Sequence, residues 1–158
     1  MAFKIQRKDE KDAAIYELSG VIDELADFSP LKADRKIVVL DFEAVDRVNS
    51  YGVKKWLVAM KALAAGASLR YRRCPVGIVE QVNMVSGLHE VAQIESFYLP
   101  YGCQCHEDEV RQLVTTAEAK APGFIDSLNE RFACSRCDRK LEFADDEGIY
   151  FEFLGLGA

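Results

Sequence analysis

The sequence predicts a mixed α/β sheet with helices packed on one side, followed by a small cysteine-bearing module. Three observations lead there. A continuous apolar run, "IVVL", has the texture of a strand buried on both faces of a sheet. The stretch from Gly52 to Ala65 repeats apolar residues at helical spacing. Four of the five cysteines lie beyond residue 102, in short pairs.

Taken in order, the first twenty residues predict a hairpin. Phe3, Ile5 and Arg7 alternate, "KDEKD" is a charged turn, and "AAIYELSGVI" resumes a β-rich pattern that Gly20 interrupts. "DELADFSPLKADRK" is a weak short helix or a loop, because Pro30 cannot sit inside a long helix. "KIVVLDF" is then the central strand. In the helix that follows, Val53, Trp56, Leu57, Met60, Leu63 and Ala64 form the packing face, Asn49 or Ser50 caps the start, and Gly66 ends it. "SLRYRR" reads as a strand, Pro75 opens a second helix carrying Val79 and Val82, Gly87 closes it, and "AQIESFYL" completes the sheet. These elements fill residues 1–101.

Past Pro100 and Gly102 the texture changes, so a second unit is expected over residues 102–158. "HEDEVRQLVTTAEAK" suggests a helical insertion, since its acidic residues suit a helix N-terminus. "RFACSRCDRKLEF" leads from a C-x-x-C pair into a strand-like run.

The composition, 49% hydrophobic and 29% charged, is that of a soluble globular chain, and no apolar run approaches the roughly 20 residues of a membrane span. The start, "MAFKIQRKDEKD", has no apolar leader region, so a cytoplasmic location is expected. The formal charge of −6 is unevenly spread. Residues 1–102 carry 14 basic and 14 acidic side chains, whereas residues 103–158 carry 6 and 12. An acidic C-terminal third repels phosphate backbones, which argues against nucleic acid and for a protein partner or a solvated face.

Cysteines in a reducing compartment read first as metal ligands, redox groups or buried thiols. Cys103 and Cys105 form C-x-C; Cys134 and Cys137 form C-x-x-C, with 28 residues between the pairs. Two short pairs on facing turns complete a tetrahedron around Zn²⁺, and a structural zinc contributes folding free energy to a module with few large apolar side chains. His106 is the alternative fourth ligand in place of Cys105. Four thiolates leave no open coordination position, so the expected role is structural. A thioredoxin-type redox pair is the competing reading. It belongs at the start of a helix, while "CDRKLEF" has the pattern of a strand. Cys74 stands alone before Pro75 and reads as a semi-buried small residue.

"DFEAVDRVNSYGVKKWL", taken with this element order, resembles the STAS domain of bacterial anti-sigma factor antagonists over residues 1 to about 100. In that family an apolar strand ending in Asp and a hydrophobe leads to D-S-S-G and an amphipathic helix. Asn49, Ser50, Tyr51 and Gly52 stand at that tetrad. The resemblance implies that this turn docks a partner that is both kinase and anti-sigma factor, which phosphorylates the second serine. Tyr51 occupies that position here, and Ser50 lies one residue early. The paired cysteines and the ending "LEF…YFEFL" resemble STAS proteins extended by a C-terminal zinc ribbon. No Gly-rich phosphate loop, G-x-S-x-G or H-E-x-x-H is present. His89 reads as a surface or helix-end residue, and a Cys74–His89 dyad has no support from spacing. The expectation is a non-catalytic regulatory binding module with a structural zinc, its partner surface at Asn49, Ser50 and Tyr51. The alternatives are a thiol redox protein and a nucleic-acid-associated zinc-ribbon protein. A homodimer stays open.

Overall fold

The computed structural model describes residues 2–155. Its first sheet has five strands in the order β1-β2-β3-β4-β5: β1 (Lys4–Glu10), β2 (Ala13–Ile22), β3 (Ile37–Val48), β4 (Ser68–Arg72) and β5 (Ala92–Ile94). β1 pairs antiparallel with β2, and every other pairing is parallel, so the mixed sheet follows the expected order. Two helices connect the parallel strands: α1 (Ser50–Ala64) and α2 (Val76–Met84). The segment 23–36 forms turns and loop and no helix, as Pro30 and its polar neighbours favour.

The strand periodicity decides which face holds the core. Leu40 and Phe42 of β3 and Tyr71 of β4 point to the helical side, where Trp56 lies 5.2 Å from Phe42 and 5.7 Å from Tyr71 between ring centroids. Phe42 and Tyr71 meet edge-on at 5.3 Å. Met60 and Leu63 of α1 and Ile78, Val79 and Val82 of α2 join the same buried cluster. Such a set of buried large side chains contributes about 1.5–3 kcal/mol apiece. On the opposite face Ile15 and Val39 are buried, paired in register with Lys8 and Arg70, and the Lys8–Glu17 ion pair runs beside them.

The run "AQIESFYL" does not form one strand. β5 ends at Ile94, the chain turns at Glu95, and β6 (Ser96–Cys103) enters a second sheet of order β7-β6-β8, with β7 (His106–Thr115) and β8 (Glu142–Phe143) antiparallel to it. The first sheet therefore closes on three residues rather than eight, and the division expected at residue 101 falls inside β6. The helix expected over "HEDEVRQLVTTAEAK" is also corrected. Residues 106–115 are a strand, and only α3 (Thr116–Ala119) is helical, with Thr115 and Glu118 as a capping box. The physical reason is the alternation that turns Val110, Gln112 and Val114 to the covered face of the sheet, aided by β-branched residues. That outweighs the acidic start, which a charged edge strand accommodates equally well.

The two sheets share one apolar core. Phe97, Leu99 and Tyr101 of β6 belong to the cluster that contains Val79 and Val82, as do Tyr150 and Phe151 at and just after α4 (Glu147–Tyr150). Phe97 packs edge-on against Phe153 at 5.0 Å, and Phe143 stacks on Phe151 at 5.5 Å. Asn83 of α2 fastens this C-terminal segment from both sides. Its Nδ2 donates to the Tyr150 carbonyl (2.9 Å), and its Oδ1 accepts from the Phe153 N–H (2.9 Å).

Asn83→Ala strands two backbone groups at a half-buried site, so it is expected to cost about 1–3 kcal/mol. Urea denaturation measures the loss. Hydrogen exchange should show Phe151 to Leu154 losing protection before β3 does, and unchanged exchange there would contradict the clamp.

A cysteine cluster and a clamped helix turn

The two cysteine pairs sit on two facing turns. Cys103 pairs with His106 where β6 reverses into β7, which places Cys103 and Cys105 on that hairpin tip. The second turn runs from Cys134 to Arg139: the Cys134 N–H donates to the Arg139 carbonyl (2.7 Å), the Asp138 N–H donates to the Cys134 carbonyl (2.9 Å), and Asp138 takes a left-handed conformation at φ 62°. Asp is among the few residue types that adopt it cheaply. A bridge between Ala133 and Lys140 and the β6–β8 pairing hold this turn beside the first. Arg136 spans the two, its guanidinium 3.1 Å from the Asp108 carboxylate.

The four sulfurs lie within 4.8 Å of one another. Neighbouring separations are 3.5 Å for Cys103–Cys105, 3.4 Å for Cys103–Cys137 and 3.6 Å for Cys105–Cys134. A tetrahedron with metal–sulfur bonds of about 2.3 Å has sulfur–sulfur edges of about 3.8 Å, so the cluster can hold a metal ion with small adjustments. Cys134 is buried and Cys105 is exposed. The backbone N–H groups of Arg136 and Cys137 stabilise the Cys134 thiolate and lower its pKa to about 6, favouring the form a metal requires, whereas desolvation pushes the Cys105 thiol up to about 12. His106 Nε2 stands 3.7 Å from Cys134 Sγ, beside the four-sulfur set rather than within it.

The turn before α1 is held from several directions. Asn49 Oδ1 accepts from the Gly52 N–H (2.8 Å) and so caps the helix, while Asn49 Nδ2 donates to Glu24 (3.2 Å) and the Asn49 N–H donates to the Ile22 carbonyl (3.0 Å). Of the two cap candidates, Asn49 takes the role and Ser50 begins the helix. Gly52 rests directly on the end of β2: a Cβ there would lie 2.0 Å from the Ile22 carbonyl oxygen. With Asn49 committed to the backbone, the outward groups are Ser50, Tyr51 at 64% exposure, and Leu25 at 83%, brought beside the turn by the Glu24 contact.

Cys74 and His89 do not form a reactive pair. Cys74 is fully buried, and burial pushes its thiol up, away from the reactive thiolate, while His89 is exposed. Two features escaped sequence reasoning. One is the Asp41–Arg73 pair, in which the carboxylate is 5% exposed and receives both Nε and Nη2 of the arginine. The Asp that ends the apolar run was the available signal. The other is a groove along α1, foreshadowed only by Val58 on the polar side of the helix.

No protein-family model matches the sequence, and no curated protein matches it. Among solved structures, the chain is similar to an anti-sigma factor antagonist from Mycobacterium paratuberculosis. The identity is 17%, the match covers 59% of this chain and 85% of the other, and the TM-score is 0.48. No helix among the described residues is long and apolar enough to cross a membrane.

Gly52→Ala drives a methyl group into backbone atoms that no side-chain rotation relieves, so α1 must move off β2. The expected cost is about 3 kcal/mol or more, read as a lowered urea midpoint. A variant as stable as the parent would contradict the close approach.

Proposed function

We propose that the protein is a non-catalytic regulatory module that binds a signalling protein through the surface around Asn49, Ser50 and Tyr51, in the manner of an anti-sigma factor antagonist. The observation that carries this reading is the pairing of a rigid turn with an exposed apolar tip. Asn49 and Gly52 fix the backbone, while Tyr51 and Leu25 remain in solvent. An amphipathic aromatic on a preorganised element is what a protein interface uses as an anchor, because little freedom is lost on binding. Ser50, in the first turn of α1, can carry a phosphate whose charge meets free backbone N–H groups and the helix dipole. Docking itself requires no phosphate on this reading, since the anchor is already presented.

Tyr51→Glu places charge at the anchor and is expected to weaken partner binding at least tenfold while leaving thermal stability unchanged. The check is affinity purification from the protein's own cells followed by titration calorimetry with the recovered partner. Undiminished affinity would move the interface elsewhere.

The second half of the proposal is a structural zinc ion held by Cys103, Cys105, Cys134 and Cys137. The sulfur spacing supports it, as does the thiolate-favouring turn around Cys134. When bound, the ion joins two hairpin turns otherwise connected by strand pairing and one exposed ion pair. Four thiolate ligands leave it no position for substrate.

Native mass spectrometry of protein purified without chelator should show one zinc per chain, and Cys134→Ser should abolish it and loosen amide protection in β7 and β8. A metal-free mass lighter by two hydrogens would replace the ion with a disulfide.

A further inference from the structure

A groove of about 640 Å³ runs along the outer side of α1, between that helix and the loop after β2. Its walls are apolar, with Phe28, Leu31, Val58, Ala59 and Leu63 among them, and Val58 is 69% exposed. Its only charged lining groups are Lys54 and Lys55. Lys55 Nζ donates to the Ala26 carbonyl (3.3 Å), and among the described residues neither lysine enters an ion pair. A chain of net charge −6 thus presents an apolar groove edged by two cations, neither in an ion pair among the described residues, although Asp27 lies near Lys55.

We propose that this groove receives an amphipathic helix of a partner protein, with an apolar row at i, i+3, i+4 and i+7 and Asp or Glu along its flank. Helix-in-groove recognition needs such an apolar trough, and the lysines select the sign of the flank. The lining residues of α1 run from Lys54 to Leu63, about 14 Å at 1.5 Å per residue, which matches two to three turns of a docked helix. A second copy fits poorly. A second copy docked groove to groove brings only lysines as charged lining groups, so it supplies no carboxylate to answer Lys54 and Lys55. A small ligand fits poorly as well, because the groove is open to solvent along its length and does not enclose one. The groove's α1 lining starts C-terminal to the Asn49–Tyr51 turn, so it does not depend on docking there.

The test uses the full chain, isotopically labelled, titrated with two synthetic peptides of about fourteen residues that share one leucine row and carry either Glu or Lys on the flanks. The Glu peptide should shift the amides of Phe28, Leu31, Val58, Ala59 and Ala62 saturably and bind at least roughly tenfold more tightly than the Lys peptide. Val58→Asp should abolish the binding. Lys54→Glu should remove the preference for the Glu peptide, this variant and Val58→Asp keeping the parent circular dichroism and melting temperature because both side chains are exposed. Three results would overturn the proposal: no saturable shift in the groove, equal affinity for the two peptides, or shifts confined to Asn49, Ser50 and Tyr51. A dimer in sedimentation velocity that Val58→Asp dissociates would also overturn it, assigning the groove to a second copy.

Discussion

The buried carboxylate of Asp41 is the point on which the two sheets turn. It follows the apolar run 37–40 on β3 at 5% exposure, and the guanidinium of Arg73 closes on it with Nη2 at 2.6 Å. Without the guanidinium this carboxylate would keep only the Glu43 N–H as a partner, so the pair holds Arg73, whose own side chain is 40% exposed, in a left-handed conformation at φ 50°. That fixes the next residues. The Arg73 N–H donates to Ser96 Oγ, the Cys74 N–H to the Ser96 carbonyl, and the Tyr98 N–H to the Cys74 carbonyl. β6 is thereby launched from the end of β4 into the second sheet. Farther along the seam Arg111 of β7 lies 4.1 Å over the Tyr98 ring and reaches Glu43 at 3.5 Å, and the Tyr98 hydroxyl donates to Glu43.

This seam explains which parts of the fold were legible in the sequence. β1 to β4, α1 and α2 each announce themselves by a local period, because each buries one face or both against neighbours close in the chain. The switch at Glu95 has no such signature. "AQIESFYL" is apolar on both sides of it, and the change of sheet depends on hydrogen bonds from Glu95 N–H to the Tyr71 carbonyl and from Thr116 N–H to the Glu95 carbonyl, which join residues far apart in sequence. Residues 106–115 misled for a related reason. Glu107, Asp108 and Glu109 look like the first turn of a helix, yet they lie on β7, an outer strand of its sheet, where charge discourages pairing with another chain. Part of the acidic excess of the C-terminal third therefore has a local structural use.

The candidate sites were legible to different degrees. C-x-C and C-x-x-C spacing sufficed to group Cys103, Cys105, Cys134 and Cys137, since short pairs lie on tight turns whatever the topology. What spacing could not convey is that both turns hang from β6, one through its hairpin with β7 and the other through its pairing with β8. At the other site, Asn49 or Ser50 was a fair choice of cap from sequence. The decision for Asn49 rests on Glu24 and Ile22, which only the folded chain brings to it. The lysine-edged groove was invisible, because Val58 on a polar helix face is unremarkable until Phe28 and Leu31 from the loop are set opposite.

Both proposed protein-binding surfaces draw on α1, and the packing of that helix shows why this is economical. Trp56, Met60 and Leu63 lock its inner face into the core, Asn49 and Gly52 lock its start against β2, and little backbone is left to order when a partner arrives at its outer side. Ordering flexible groups is one of the costs of association, so a helix already immobilised by four buried side chains and a satisfied cap presents Tyr51 and Val58 at little further backbone cost. The two surfaces also differ in chemistry: an aromatic tip beside a serine at the helix start, and an apolar trough edged by lysine farther along. A partner engaging both would read the direction of α1 as well as its surface. Phosphate added at Ser50 would act on both contacts, because Lys54 of the groove lies one helical turn on, at i+4, within reach of it.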